Sequence, residues 1–121
     1  MHKLIGALAF VFMAVLIGSW LYFNRSQEID FSTRLPKSLE LCGKDIENTN
    51  IQYKALENWL RNNSKDWKNT PVTYVPNLIY SSDMISINVM QTAVIVNYEN
   101  GSNWSQVAKG GNTEGLYIPC K

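Results

Sequence analysis

The sequence predicts an α+β protein: an N-terminal transmembrane or signal helix, then one small domain in which a helix packs on an antiparallel meander of three to five strands, closed by one disulfide. Three observations carry this. Leu4 to Phe23 is an apolar run without a charged residue. Tyr53, Leu56, Trp59 and Leu60 recur at helical spacing, the mark of one buried stripe. Ile85, Ile87 and Val89 alternate with Ser86 and Asn88, and the run Ala93–Tyr98 is rich in β-branched residues. The 121 residues divide into the N-terminal helix 1–23, a polar stalk 24–37 and one domain over 38–121.

Twenty helical residues extend about 30 Å, the thickness of the hydrocarbon core. His2 and Lys3 precede the run, and the positive-inside rule keeps them cytoplasmic. Trp20, Tyr22 and Phe23 crowd its far end, where aromatic rings favour the membrane interface. The run is longer than the apolar stretch of a cleaved signal and lacks an A-x-A site, although Ile17-Gly18-Ser19 is a poor substitute for one. Two placements therefore stand. Either residues 4–23 stay in an inner membrane with the domain in the periplasm, or the segment is cleaved and the domain is free there. Ala14 and Gly18 form a small-xxx-small pair that admits a homodimer, though such pairs are common in spans of this composition.

Topology then fixes the redox setting. Cys42 and Cys120 are the two cysteines, and both lie beyond the apolar run, where an even count reads as a disulfide. Closing so long a loop is worth about 4–5 kcal/mol in the chain-entropy model.

Within the domain, Leu35, Leu39 and Leu41 alternate as a strand would, and Gly43 breaks the run. Thr49-Asn50-Ile51-Gln52 has the form of a capping box opening the helix, Glu57 and Arg61 pair at i,i+4, and Asn62-Asn63-Ser64 ends it. Ser64 then caps a short turn carrying Trp67. Val72, Tyr74 and Val75 suggest a short strand, and Leu78-Ile79-Tyr80 continues extended. Turns are expected at Ser81-Ser82-Asp83, at Met90-Gln91-Thr92 and at Asn100-Gly101. Trp104 to Lys109 is the returning strand, Gly110-Gly111-Asn112 turns again, and Leu116-Tyr117-Ile118 is a last short strand.

Several chemistries are excluded by what the chain lacks. Its one histidine, His2, lies on the cytoplasmic side, so no Ser-His-Asp or Cys-His pair can form in the exported domain. There is no H-E-x-x-H, P-loop or GxGxxG, and no C-x-x-C to start a metal site. Asp83, Glu99 and Glu114 fall in or near turns, with no spacing that sets two across a cleft. All ten acids and every basic residue but Lys3 follow Asn24, so the exported part is formally neutral. That argues against nucleic acid and against a polybasic lipid grip. No catalytic residue, metal or cofactor is assigned.

What remains is binding. Four tryptophans and six tyrosines are many for this length. Trp59 lies on the helix stripe and reads as core. Trp67, Trp104, Asn103 and Tyr98 are the candidate contact residues, since exposed aromatics anchor protein interfaces and stack on sugar rings. Asn62-Asn63-Ser64, Asn100-Gly101-Ser102 and Asn103-Trp104-Ser105 match N-x-[ST], which matters only in a eukaryotic secretory route. The short N-region looks more bacterial.

Two functions are expected to compete. One is a non-catalytic protein-binding module of the bacterial envelope. It is either an inhibitor or immunity protein against a hydrolase toxin, or a membrane-anchored accessory subunit. The other is a glycan or peptidoglycan binder using exposed tryptophans.

Overall fold

The computed structural model describes residues 2–116 and Cys120. The first helix, α1 (His2–Asn24), is long and apolar enough to cross a membrane, and none of it is buried in the domain. Asn24 closes it, donating from Nδ2 to the Trp20 carbonyl at 2.9 Å.

Ten elements follow: β1 (Ser26–Gln27), a 3-10 turn (Phe31–Arg34), β2 (Ser38–Leu41), β3 (Lys44–Glu47), α2 (Ile51–Asn62), β4 (Trp67–Asn69), β5 (Leu78–Ser81), β6 (Ile85–Val89), β7 (Ala93–Asn100) and β8 (Asn103–Gly110). The strands form one antiparallel sheet in the order β1-β4-β8-β7-β6-β5-β2-β3. The α+β class stands, with eight strands among the described residues where three to five were expected. The extra ones are the short β1, β3 and β4, too brief for an alternating pattern to show.

The chain wraps this sheet. From β3 at one edge, α2 crosses one face and delivers β4 near the other edge. Residues 70–77 then return across the opposite face to β5, passing β8, β7 and β6. Four strand spacings are about 19 Å, and eight extended residues reach about 26 Å, so this strap has little slack. Pro71 and Pro76 keep it from coiling. It is irregular backbone, not the strand that Val72, Tyr74 and Val75 suggested. The reason is that it runs across the strands and has no neighbour to pair with.

The α2 face holds the core. Tyr53, Leu56 and Leu60 meet Leu39, Tyr80, Ile87, Val89, Val94, Val96 and Val107, all buried. The helix cap lies one residue later than the sequence suggested. Asn50, not Thr49, is the N-cap, accepting from the Gln52 amide at 2.7 Å, and Gln52 Oε1 is left buried without a partner. Glu57 does meet Arg61 at 3.7 Å, and Lys54 at 3.6 Å, on the exposed face where such pairs are worth little.

Residues 24–37 are not a stalk. β1 joins the sheet, and Phe31 is fully buried with its ring edge-on to Trp67 and Tyr98 at 5.0 and 5.1 Å. Asp30 caps the 3-10 turn, the Ile29 amide donates to the Ser64 carbonyl, and the Tyr53 hydroxyl donates to the Pro36 carbonyl. Phe31, flanked by half-buried Ile29 and Leu35, draws this largely polar segment into the core.

The register gives the sheet two distinct ends. Ser26 pairs with Lys68, Lys68 with Ala108, Ala108 with Ile95, and Ile95 with Asn88. β1 runs away from α1, so strand ends on the α1 side are proximal. These comprise the turns after β5 and β7 and, because β3 runs the same way as β5, the start of α2. The distal end holds the turns after β6 and β8, while the turn after β2 stops level with Ser26.

Candidate functional site

The β2–β3 turn carries the disulfide, on the edge of the sheet opposite β1 and level with Ser26. Cys42 and Gly43 form the two-residue turn between β2 and β3, both at positive φ (54° and 76°), the conformation that a tight hairpin demands. Cys42 bonds to Cys120 across a Cα–Cα distance of 5.5 Å, as the cysteine count predicted. At the distal end, the Trp59 indole donates to the Asn112 carbonyl at 2.8 Å, and Lys109 Nζ to the Lys65 carbonyl at 2.6 Å. The Thr113 hydroxyl lies 2.6 and 2.7 Å from the carbonyls of Met90 and Gln91. Leu116 sits in a turn, not a strand, and Tyr117 and Ile118 lie outside the described residues.

The four candidate contact residues separate. Trp67 is fully buried on β4, its indole donating to the Asn63 carbonyl at 2.9 Å and its ring edge-on to Phe31 and Trp59. It belongs to a strand rather than to a capped turn, and it takes no part in any surface. Tyr98 is nearly buried on β7, with the Arg34 guanidinium 5.2 Å from its ring centroid. With Arg34, Met84, Ile85 and Glu99 it lines a shallow proximal cleft of about 230 Å³. Asn103 and Trp104 are exposed at the start of β8, where Trp104 pairs across to Glu99. Trp104, Asn103 and Tyr98 thus share the proximal end. Trp20 and Tyr22 are exposed on α1, and the Phe23 side chain lies outside the described set.

The strap face holds a second cleft, of about 250 Å³, between residues 73–76 and the sheet. Its polar groups are uncharged: Thr73, Tyr74, Ser86, Asn88, Asn97 and Gln106. Two of them fasten the strap. Gln106 Nε2 donates to the carbonyls of Thr70 and Val72 at 3.1 and 2.7 Å. Asn88 accepts from the Asn77 amide and donates to the Val75 carbonyl, both at 3.1 Å. These amides do for the strap what a neighbouring strand would otherwise do. They sit at the polar positions of alternating strands, so sequence reading takes them as solvent-facing; only the flanking prolines hint at a segment laid over them.

Burial pushes the Tyr80 phenol up to about 12, and it donates to the Leu116 carbonyl at 3.3 Å. Burial, and then the Glu57 charge, raise the Tyr53 phenol. Both phenols stay protonated donors that tie core to loop. Among the described residues no three His, Cys, Asp or Glu side chains gather as a metal site. On α1 a shallow apolar groove runs past Ala14 and Gly18.

No protein-family model, curated protein or solved structure matches the chain.

Proposed function

We propose that this is a small exported envelope protein, held at the inner membrane by α1, whose periplasmic domain is a non-catalytic protein-binding module. An inhibitor or immunity protein against a hydrolase and an accessory subunit of an envelope complex are the two forms that fit. The observation that carries the reading is the strap. Val72 and Val75 are 54% and 78% exposed, yet the backbone beside both is held by side chains of the sheet. Apolar groups presented on pinned backbone lose little freedom on binding, which is what a protein contact needs. The lack of any histidine beyond His2 supports the non-catalytic part.

A photo-crosslinking residue at Val75 in intact cells tests this. The expected result is a discrete adduct with an envelope protein, lost when Val72 is changed to Ser in the same chain. Adduct with no protein, or adduct indifferent to Val72→Ser, contradicts it. The glycan reading now rests on Trp104 alone, because Trp67 is core and Asn88 and Gln106 are occupied by the strap. Cell-wall pelleting that falls with Trp104→Ala would favour it.

A further inference from the structure

Outside α1, the strongly exposed large apolar side chains among the described residues fall into two groups. Val72 and Val75 are on the strap. Ile51 (79% exposed), Met84 (64%) and Trp104 (55%) are elsewhere in sequence, on α2, the β5–β6 turn and β8. The register puts these three at one end. Trp104 precedes the Ser26 level of the sheet, where Ala108 lies, by four residues in the direction of α1. Met84 follows β5 in the turn that leads into β6, and the Glu99 amide, opposite Trp104, donates to its carbonyl at 3.1 Å. Ile51 opens α2, just after β3 arrives at the same end.

We propose that this proximal end rests on the lipid interface of the bilayer that α1 crosses, with Trp104, Met84 and Ile51 entering it. The inference rests on α1 being kept as an anchor, and it deepens that part of the proposed function. Only Arg25 separates α1 from β1, so no linker holds the domain away from the membrane. The depths agree. Four extended residues place Trp104 about 13 Å beyond Ser26 towards α1. Two extended residues and then about four helical ones cover the same distance along the chain, which reaches Trp20. With α1 continuing the line of β1, Trp104 falls level with the aromatic turn of α1, at the depth where tryptophan is favoured. The charges at this end are mixed: Arg34 and Lys37 against Glu47, Asp83 and Glu99. The contact is therefore apolar and aromatic, and indifferent to anionic lipid.

The full chain, reconstituted in phosphatidylcholine vesicles carrying lipid brominated high on the acyl chain, tests this through tryptophan quenching. No other protein is present, so quenching reports lipid alone. Buried Trp67 and half-buried Trp59, which lies towards the distal Asn112, supply the background. Trp104→Phe and Trp20→Phe should each remove a comparable share of the quenching, and Met84→Trp in the Trp104→Phe chain should restore it. Quenching lost with Trp20→Phe but unchanged by Trp104→Phe, and not gained by Met84→Trp, overturns the inference and leaves the anchor standing. No quenching assignable to Trp20 overturns the anchor, and the inference with it.

Discussion

The two ends of the sheet are built on opposite plans. The side away from α1 is tied: the Cys42–Cys120 bond closes the far edge at the Ser26 level, and beyond that level the Trp59 and Lys109 bonds to backbone carbonyls and the Thr113 hydroxyl close the distal end. The proximal end is bare. Its turns after β5 and β7 carry exposed Met84 and Trp104, and α2 starts there on exposed Ile51. In a domain this small the difference teaches where stability is kept and where surface is left free. Cross-links sit far from α1, and unsatisfied apolar surface sits beside it.

The largest way to break that contrast is at the disulfide. Replacing both cysteines with serine should cost about 4–5 kcal/mol, read by denaturant unfolding, because a loop of 78 residues' separation is released in the unfolded chain. A loss below about 1 kcal/mol would mean the tied side is held mainly by its hydrogen bonds.

Next comes Phe31→Ala, which should cost about 3–5 kcal/mol as a buried aromatic truncation. A stalk residue would cost almost nothing. This position also shows what the sequence made legible. The helix stripe over Tyr53–Leu60, the alternation over Ile85–Val89, the Asn100-Gly101 turn and the cysteine pairing all follow from local periodicity or from a single permitted pairing. Phe31 and Trp67 carry no period, since a 3-10 turn and a three-residue strand are shorter than one. Their burial is set by long-range packing of one on the other. The strap was hidden for a related reason: what holds it is amides of distant strands. At the candidate site, Trp104 and Asn103 were legible as hairpin-tip residues, whereas Met84 and Ile51 join them only through sheet register.

Tyr80→Phe should cost about 1 kcal/mol for its hydrogen bond to the Leu116 carbonyl. Its pH signature is sharper. The folded phenol is raised to about 12 from 10.0, so the folded state holds its proton after the unfolded chain has begun to lose it. That stabilisation is complete below pH 10 and is lost as pH rises towards 12. Wild-type stability should therefore fall more steeply than that of Tyr80→Phe between pH 10 and 12.

The smallest effect on stability belongs to the proximal end. Ile51→Ser, Met84→Ser and Trp104→Ser together should change unfolding free energy by roughly 0.5 kcal/mol or less each, as exposed substitutions do. A larger loss would show that these side chains support the fold, and the contrast between the ends would fail.

The most direct measurement is immersion depth by spin labels on the full chain in vesicles, one label at a time at positions 51, 84 and 104 and at distal positions 91 and 112. The proximal labels should show high accessibility to oxygen and low accessibility to a water-soluble nickel complex, and the distal labels the reverse. Equal aqueous accessibility at both ends would contradict a domain seated on its own membrane by the proximal end.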